Sequence, residues 1–158
     1  MNGGIWVNIK KTGYIAGAAA FFAAITVLSV LLIDRGSVWY EGLEKSPMQP
    51  PDMLSLAARP VLAAFLAASL AITLIKGDGA GSLPYAVTGV MCAFWHYIFF
   101  MAHSIAGALI TAGALIIAAV WMFVSSAEKS GAAAWLTVPY IAWLAYGFAL
   151  CFSTALLN

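Results

Sequence analysis

The chain has 158 residues, of which 64% are apolar and 8% charged, with a formal net charge of +1 and a mean hydropathy of +0.98. Roughly a quarter of the residues in an average soluble domain are charged, so this composition excludes an ordinary soluble domain and identifies an integral membrane protein. The near-neutral charge and the lack of a basic run exclude nucleic acid as a partner and a polybasic lipid-binding patch.

The opening stretch MNGGIWVNIKKTGYIAG places Lys10 and Lys11 ahead of an apolar run. That run is span-length and has no clear small-residue cleavage site, so it reads as a retained first helix rather than a signal peptide. A spanning helix needs about 20 mainly apolar residues to cross a hydrocarbon core about 30 Å thick. By that measure residues 14–33 form the first span and 53–75 the second, with Arg59 and Pro60 as interruptions near its start. The run from Leu83 to Val124 is about twice the needed length. It therefore turns back once, at its least apolar point, Ala102-His103-Ser104, giving spans over 83–102 and 104–124. Residues 135–157 form the last span. The predicted fold class is all-α: one domain over residues 1–158, a bundle of five transmembrane helices with its termini on opposite faces.

Helix punctuation agrees with these divisions. Asp52 follows Pro50-Pro51 as a candidate N-cap, and Ser82 precedes Leu83-Pro84, where proline suits a first turn. The connection Lys76 to Ser82 reads as a flexible turn. Lys10, Lys11, Lys76 and Lys129 on one side face Arg35, Lys45 and Arg59 on the other, a balance that sets no orientation. The first connection, residues 34–52, is the long one, and long loops in compact folds are usually functional or disordered. Trp39-Tyr40 supply aromatic anchors, while Pro47, Pro50 and Pro51 stiffen the chain, which favours an ordered lid.

Ionisable groups inside lipid cost about 2.5–3.5 kcal/mol on insertion scales, and the spans contain only Arg59, His96 and His103. No Asp or Glu lies within a span, which argues against a proton-coupled transporter. Arg59 either snorkels to the interface and pairs with an acid of the first loop, or faces an inter-helical cavity and holds an anionic ligand group. His96 and His103, on one continuous helix, would lie about 10 Å apart along the axis and so could not ligate one metal or haem iron. His96 then reads as a hydrogen-bonded interior residue and His103 as interfacial. Cys92 and Cys151 sit in apolar runs as small hydrophobes, and no disulfide, metal or cofactor is expected.

Trp6, Tyr14, Trp39, Tyr85, Trp121 and Trp135 fall near span ends, where amphipathic rings belong. Trp95 and Trp143 lie deeper. Tyr140, Trp143 and Tyr146 or Gly147 share one helical face, which reads either as packing or as one wall of a slot for a flat apolar ligand. The pairs Gly13 with Gly17 and Gly89 with Ala93 permit close helix approach, within the chain or across a homodimer.

Taken together, Trp39, Tyr40, Leu43, Lys45, Pro50 and Pro51 in the loop, Trp95, Phe99, Phe100, Ala108 and Leu109 around the third span, and Pro139, Tyr140, Trp143, Phe152, Leu157 and Asn158 in the fifth form a pattern. It resembles the translocator protein family, also called the tryptophan-rich sensory proteins or TspO. The resemblance implies a five-helix bundle, commonly a homodimer, that binds tetrapyrroles such as protoporphyrin IX and, in some members, cholesterol and benzodiazepine-type drugs. It places the pocket between the helices beneath the first loop, with Trp39, Tyr40, Pro50 and Pro51 as the lid and Trp95 and Trp143 lining or supporting the cavity. The sequence departs from the family pattern where Ser46, Pro47, Met48 and Gln49 replace an aromatic-containing segment, where Arg59 replaces a tryptophan, and where Cys92 and Cys151 replace asparagines. The sterol pattern fails, because the last basic residue is Lys129.

The expected function is a membrane receptor or carrier, not an enzyme, for a flat hydrophobic molecule: a porphyrin-like ligand, or a lipid or sterol. The expected binding residues are Trp39, Tyr40, Pro50, Pro51, Arg59, Trp95, Phe99, Tyr140, Trp143 and Gly147. The alternative is a membrane scaffold or assembly protein that packs with partner helices and takes no small molecule.

Overall fold

The structure, a computed structural model, describes residues 3–77 and 79–158, with side chains from residue 9 onward. The Trp6 side chain and Asp78 of the second connection lie outside the described residues. Helices account for nearly all of it: α1 (Gly3–Leu31), a short α2 (Val38–Glu41), α3 (Asp52–Lys76), α4 (Leu83–His96), α5 (Ile105–Lys129) and α6 (Gly131–Leu157). A 3-10 turn, Gly79–Ser82, leads into α4, and a π-helical turn, Tyr97–Met101, extends it. Five segments are long and apolar enough to cross a membrane: Ile9–Leu31, Asp52–Lys76, Gly79–Met101, Ile105–Lys129 and Gly131–Leu157. The all-α, five-span architecture read from the sequence is thus the observed one.

Boundaries differ in instructive ways. Helix α1 begins at Gly3, well before the predicted Tyr14, because the polar turn carrying Lys10 and Lys11 continues the same helix. Helix α5 runs to Lys129 and α6 starts at Gly131, so a single extended residue, Ser130, joins them. The alanine-rich start of α6 has high helical propensity and needs no longer loop. Pro51, not Asp52, occupies the N-cap of α3, and the Asp52 carboxylate pairs with Arg35 instead. At Ser82 the N-cap position is as predicted, but the hydroxyl donates to the Gly79 carbonyl rather than capping α4.

The reversal between the third and fourth spans occurs at the predicted residues, by a specific device. His103 adopts φ of 52°, the left-handed conformation that usually belongs to glycine at a helix end. The Ala102 amide donates to the Tyr97 carbonyl and the Ser104 amide to that of Ile98, which closes the π turn. Ser104 then caps α5, its Oγ accepting from the Gly107 amide at 3.1 Å. Gly107 is required here, since a Cβ would lie 2.9 Å from that same Oγ.

Two cores hold the bundle. One gathers Ala18, Phe22, Leu66, Leu70, Tyr85, Ala119, Met122 and Tyr140 from α1, α3, α4, α5 and α6. The other, on the loop side, contains Tyr40, Phe99, Phe100, Ala108 and Cys151. Tyr85, expected at the interface, is instead fully buried, its phenol oxygen close to three hydroxyls, Ser69 at 2.6 Å, Ser126 at 2.7 Å and Thr73 at 3.1 Å, one of which accepts its single O–H. Each of those three also donates to a backbone carbonyl, so the cluster joins α3, α4, α5 and α6 without stranding a polar atom. Such interhelical bonds average about 0.6 kcal/mol in membranes and reach about 1.7. Tyr85→Phe is therefore expected to lower stability by about 1 kcal/mol, read as a reduced unfolding midpoint in detergent; an unchanged midpoint would refute the role given to this hydroxyl. At the turn, His103→Val should cost about 1–2 kcal/mol more than His103→Asn, since both lose the imidazole but only valine resists the left-handed backbone. Equal midpoints for the two variants would contradict this.

Candidate functional site

Beneath the first loop, the five spans enclose a cavity of about 260 Å³. The loop side is closed by an ordered lid, as the prolines and aromatics predict. Ser37 caps α2, accepting from the Tyr40 amide at 3.3 Å. The Tyr40 ring packs against Phe100 at 5.5 Å and Phe99 at 6.3 Å, and Lys45 Nζ lies 4.5 Å over its face. Its hydroxyl accepts from Gln49 Nε2 at 3.0 Å. Further along, Tyr146 donates to the Met48 carbonyl at 2.6 Å, and the Asn158 side chain bonds both the amide and the carbonyl of Glu44. The far end of α6 thus ties the lid down.

Of the ten residues expected to bind ligand, Tyr40, Pro50, Arg59, Trp95, Phe99, Tyr140, Trp143 and Gly147 line this cavity. Trp39 and Pro51 do not. Trp39 lies behind the lid, stacked on His103 at 4.7 Å and edge-on to Phe99 at 5.5 Å, so it clamps the loop to the reversal after α4. Pro51 is exposed as the N-cap of α3. Both are supports of the lid rather than lining.

The walls are aromatic and largely apolar. Trp95 stacks flat on Phe99, with centroids 5.5 Å apart and planes 8° apart, and Trp143 leans on Tyr146 at 5.9 Å. Tyr140, Trp143 and Gly147 face the cavity together, as their spacing on α6 implies. A Cβ at Gly147 would meet nothing within 4 Å, whereas at Gly89 it would press on the Phe21 ring at 3.0 Å. Gly89 is small so that α1 and α4 can approach, while the space at Gly147 is left open to the cavity.

The charged groups of the lining, Arg35, Lys45 and Arg59, are all cationic, while its hydroxyls and the Gln49 amide can accept as well as donate. Arg59 turns inward and meets His96 Nε2 with Nη1 at 3.4 Å. His96 Nδ1 lies 2.8 Å from the Cys92 carbonyl, which can only accept. Nδ1 therefore carries the hydrogen, and the Nε2 lone pair faces the guanidinium. Arg59 lines the cavity, as one of its two readings requires, and also borders an outer groove with Asp52, whose carboxylate is engaged by Arg35. Trp95 Nε1, Arg35 Nε and Ser29 Oγ are buried without hydrogen-bond partners, although Ser29 lies beside the Cys92 thiol. All three residues line the cavity, together with Lys45, and among the described residues no Asp or Glu does. Among the described residues no three His, Cys, Asp or Glu side chains converge as a metal site.

Sequence reasoning missed His96, Arg35, Gln49 and the α1 wall of Phe22, Thr26 and Ser29 as lining. The wall had a signal, since its spacing of four and three marks one helical face. His96 had none, because its meeting with Arg59 joins two helices.

No curated protein matches the chain. Comparison with known families matches residues 15–157 to the TspO/MBR family, in agreement with the lid, third-span and fifth-span pattern. The chain therefore belongs to the TspO/MBR family and is a multi-pass integral membrane protein.

Proposed function

We propose that the protein is a membrane receptor or carrier that holds a flat, hydrophobic, carboxylate-bearing small molecule in the cavity beneath the first loop, with a tetrapyrrole such as protoporphyrin IX as the leading ligand. The observation that carries this reading is the one-sided charge of the site. Arg59 and Lys45, with the unpartnered Trp95 Nε1 and Arg35 Nε, offer donors and positive charge, and no acid lines the cavity to answer them. A buried donor without an acceptor costs about 1–3 kcal/mol, so this set is complementary to a ligand that brings acceptors. The faces of Trp95, Phe99 and Trp143 supply the apolar surface for its body.

Size adds a condition. The cavity, about 260 Å³, lies just below the range of about 300–1,000 Å³ usual for ligand sites. A tetrapyrrole is larger than this space, so its admission requires the cavity to widen, as by a parting of the lid. Parting the lid breaks the bonds of Gln49 to Tyr40, Tyr146 to Met48 and Asn158 to Glu44 and separates the Tyr40 ring from Phe99 and Phe100. On this reading the site binds and does not transform its ligand: its charged groups are cations that hold a carboxylate, and the one imidazole lone pair is occupied by Arg59.

Titration of the purified protein with protoporphyrin IX should quench tryptophan fluorescence saturably. A charge-assisted hydrogen bond is worth about 1.5–3 kcal/mol, so Arg59→Ala should weaken binding at least about tenfold. Trp143→Phe should reduce the quenching amplitude. Octaethylporphyrin, which has the macrocycle without carboxylates, should bind much more weakly than protoporphyrin IX. Absence of saturable quenching, or quenching indifferent to Arg59→Ala and to the carboxylates, would refute the proposal.

A further inference from the structure

A second, shallower depression lies on the outside of the bundle, between the end of α1 and the start of α3, bordered by Val30, Ile33, Met53 and Leu56. Its remaining residues are Arg35, Asp52 and Arg59, and the two arginines also line the central cavity. Their side chains are therefore shared by the outer groove and the inner space. The groove's apolar border faces lipid, with Val30, Met53 and Leu56 all exposed. It sits where α1 ends its span and α3 begins one, which is the depth at which lipid headgroups meet hydrocarbon.

From this arrangement we infer that the α1–α3 groove is a lateral access route by which an anionic, single-chain amphiphile with a carboxylate head passes from the bilayer into the cavity, with the Arg35–Asp52 ion pair as its gate. The inference rests on the reading of the cavity as a ligand site and adds the route and the class of molecule that uses it. Charge complementarity selects the occupant. Arg35 pairs with Asp52 through Nη1 while its buried Nε has no partner, and Arg59 meets only the His96 imidazole. A carboxylate arriving at headgroup depth finds Arg35, displaces the largely solvated Asp52, and can be handed inward to Arg59, its chain then following from the apolar border into the cavity. The guanidinium is suited to each exchange, since it presents a planar fork of donors that matches a carboxylate. A neutral amphiphile offers either arginine only an uncharged, single acceptor, and the lid route from water remains tied by Tyr146 and Asn158.

The test uses the full-length protein in liposomes containing a diazirine-bearing palmitate, with labelled residues mapped after illumination. Labelling is expected at Val30, Met53 and Leu56, and inside the cavity at Trp95 or Trp143, at least about fivefold above that at the lipid-facing Ile110 and Ile117. Excess palmitate should compete and excess hexadecanol should not. Arg35→Gln combined with Arg59→Gln should abolish the excess while leaving Ile110 and Ile117 labelled, which also reports that the variant is inserted and folded. Asp52→Asn should increase cavity labelling by freeing Arg35. Groove labelling no greater than at Ile110, equal competition by the alcohol, or labelling of the groove without the cavity would each overturn the inference. The porphyrin titration separates the two proposals: its failure with carboxylate-specific cavity labelling intact would remove the tetrapyrrole alone, and the converse would remove only the lateral route.

Discussion

The packing of Tyr40 against Phe99 and Phe100 is the contact on which the site depends. A helix as short as α2 has no stability of its own, because nucleating the first turn fixes several residues for a single hydrogen bond. Its order comes from tertiary contact: the Tyr40 ring on the end of the third span, Lys45 over the ring and Gln49 on the hydroxyl. Trp39, one residue earlier, points the other way and stacks on His103. Adjacent aromatics thus grip the two sides of the π turn. The lid is consequently built on the one span that departs from α-helical geometry, and the reversal that ends that span is fixed by the same rings.

Away from the loop the bundle follows the rules of helix packing in lipid. Bilayer hydrocarbon offers no hydrophobic drive between helices, so they must approach closely and share hydrogen bonds. Ala108, Ala119 and Ala133 are fully buried, and Gly89 admits the Phe21 ring. The Tyr85 hydroxyl cluster supplies the shared bonds. This tightly packed region forms a floor, and the cavity occupies the level between it and the aromatic lid.

The spans were legible because length and apolarity are what the bilayer demands, and the bilayer dominates the energetics. Even the reversal at His103 could be located, since a double-length run must turn where its apolarity is least. The α6 face of Tyr140, Trp143 and Gly147 was legible for the same reason that helical periodicity is: it is local. What could not be read were meetings between helices. Tyr85 looks like an interfacial tyrosine until three hydroxyls from two other helices surround it. Trp39 looks like lid lining until His103, distant in sequence, takes its face. Arg59 was ambiguous for the same reason, because its partner had to be chosen among the loop acids, a ligand and His96, none of them on α3 except Asp52.

The identity of position 59 bears on what the proposed pocket would select. The family pattern has a tryptophan there, a residue that would fill the wall and present a single donor. Arginine presents five donors and a charge that needs an answering group, and His96 supplies only one lone pair. A charge retained at a span's edge with no acid beside it is costly unless something mobile completes it. The same logic applies to Cys92 and Cys151 where the pattern has asparagines: each exchange removes an amide that would accept as well as donate. Both changes move the cavity in one direction, fewer acceptors and more positive charge, while Gly147 keeps space open that neighbouring side chains do not claim. On the proposed reading, a wall that loses acceptors and gains a guanidinium would discriminate by the acceptors of its ligand, and so by carboxylates more than by the shape of the apolar body.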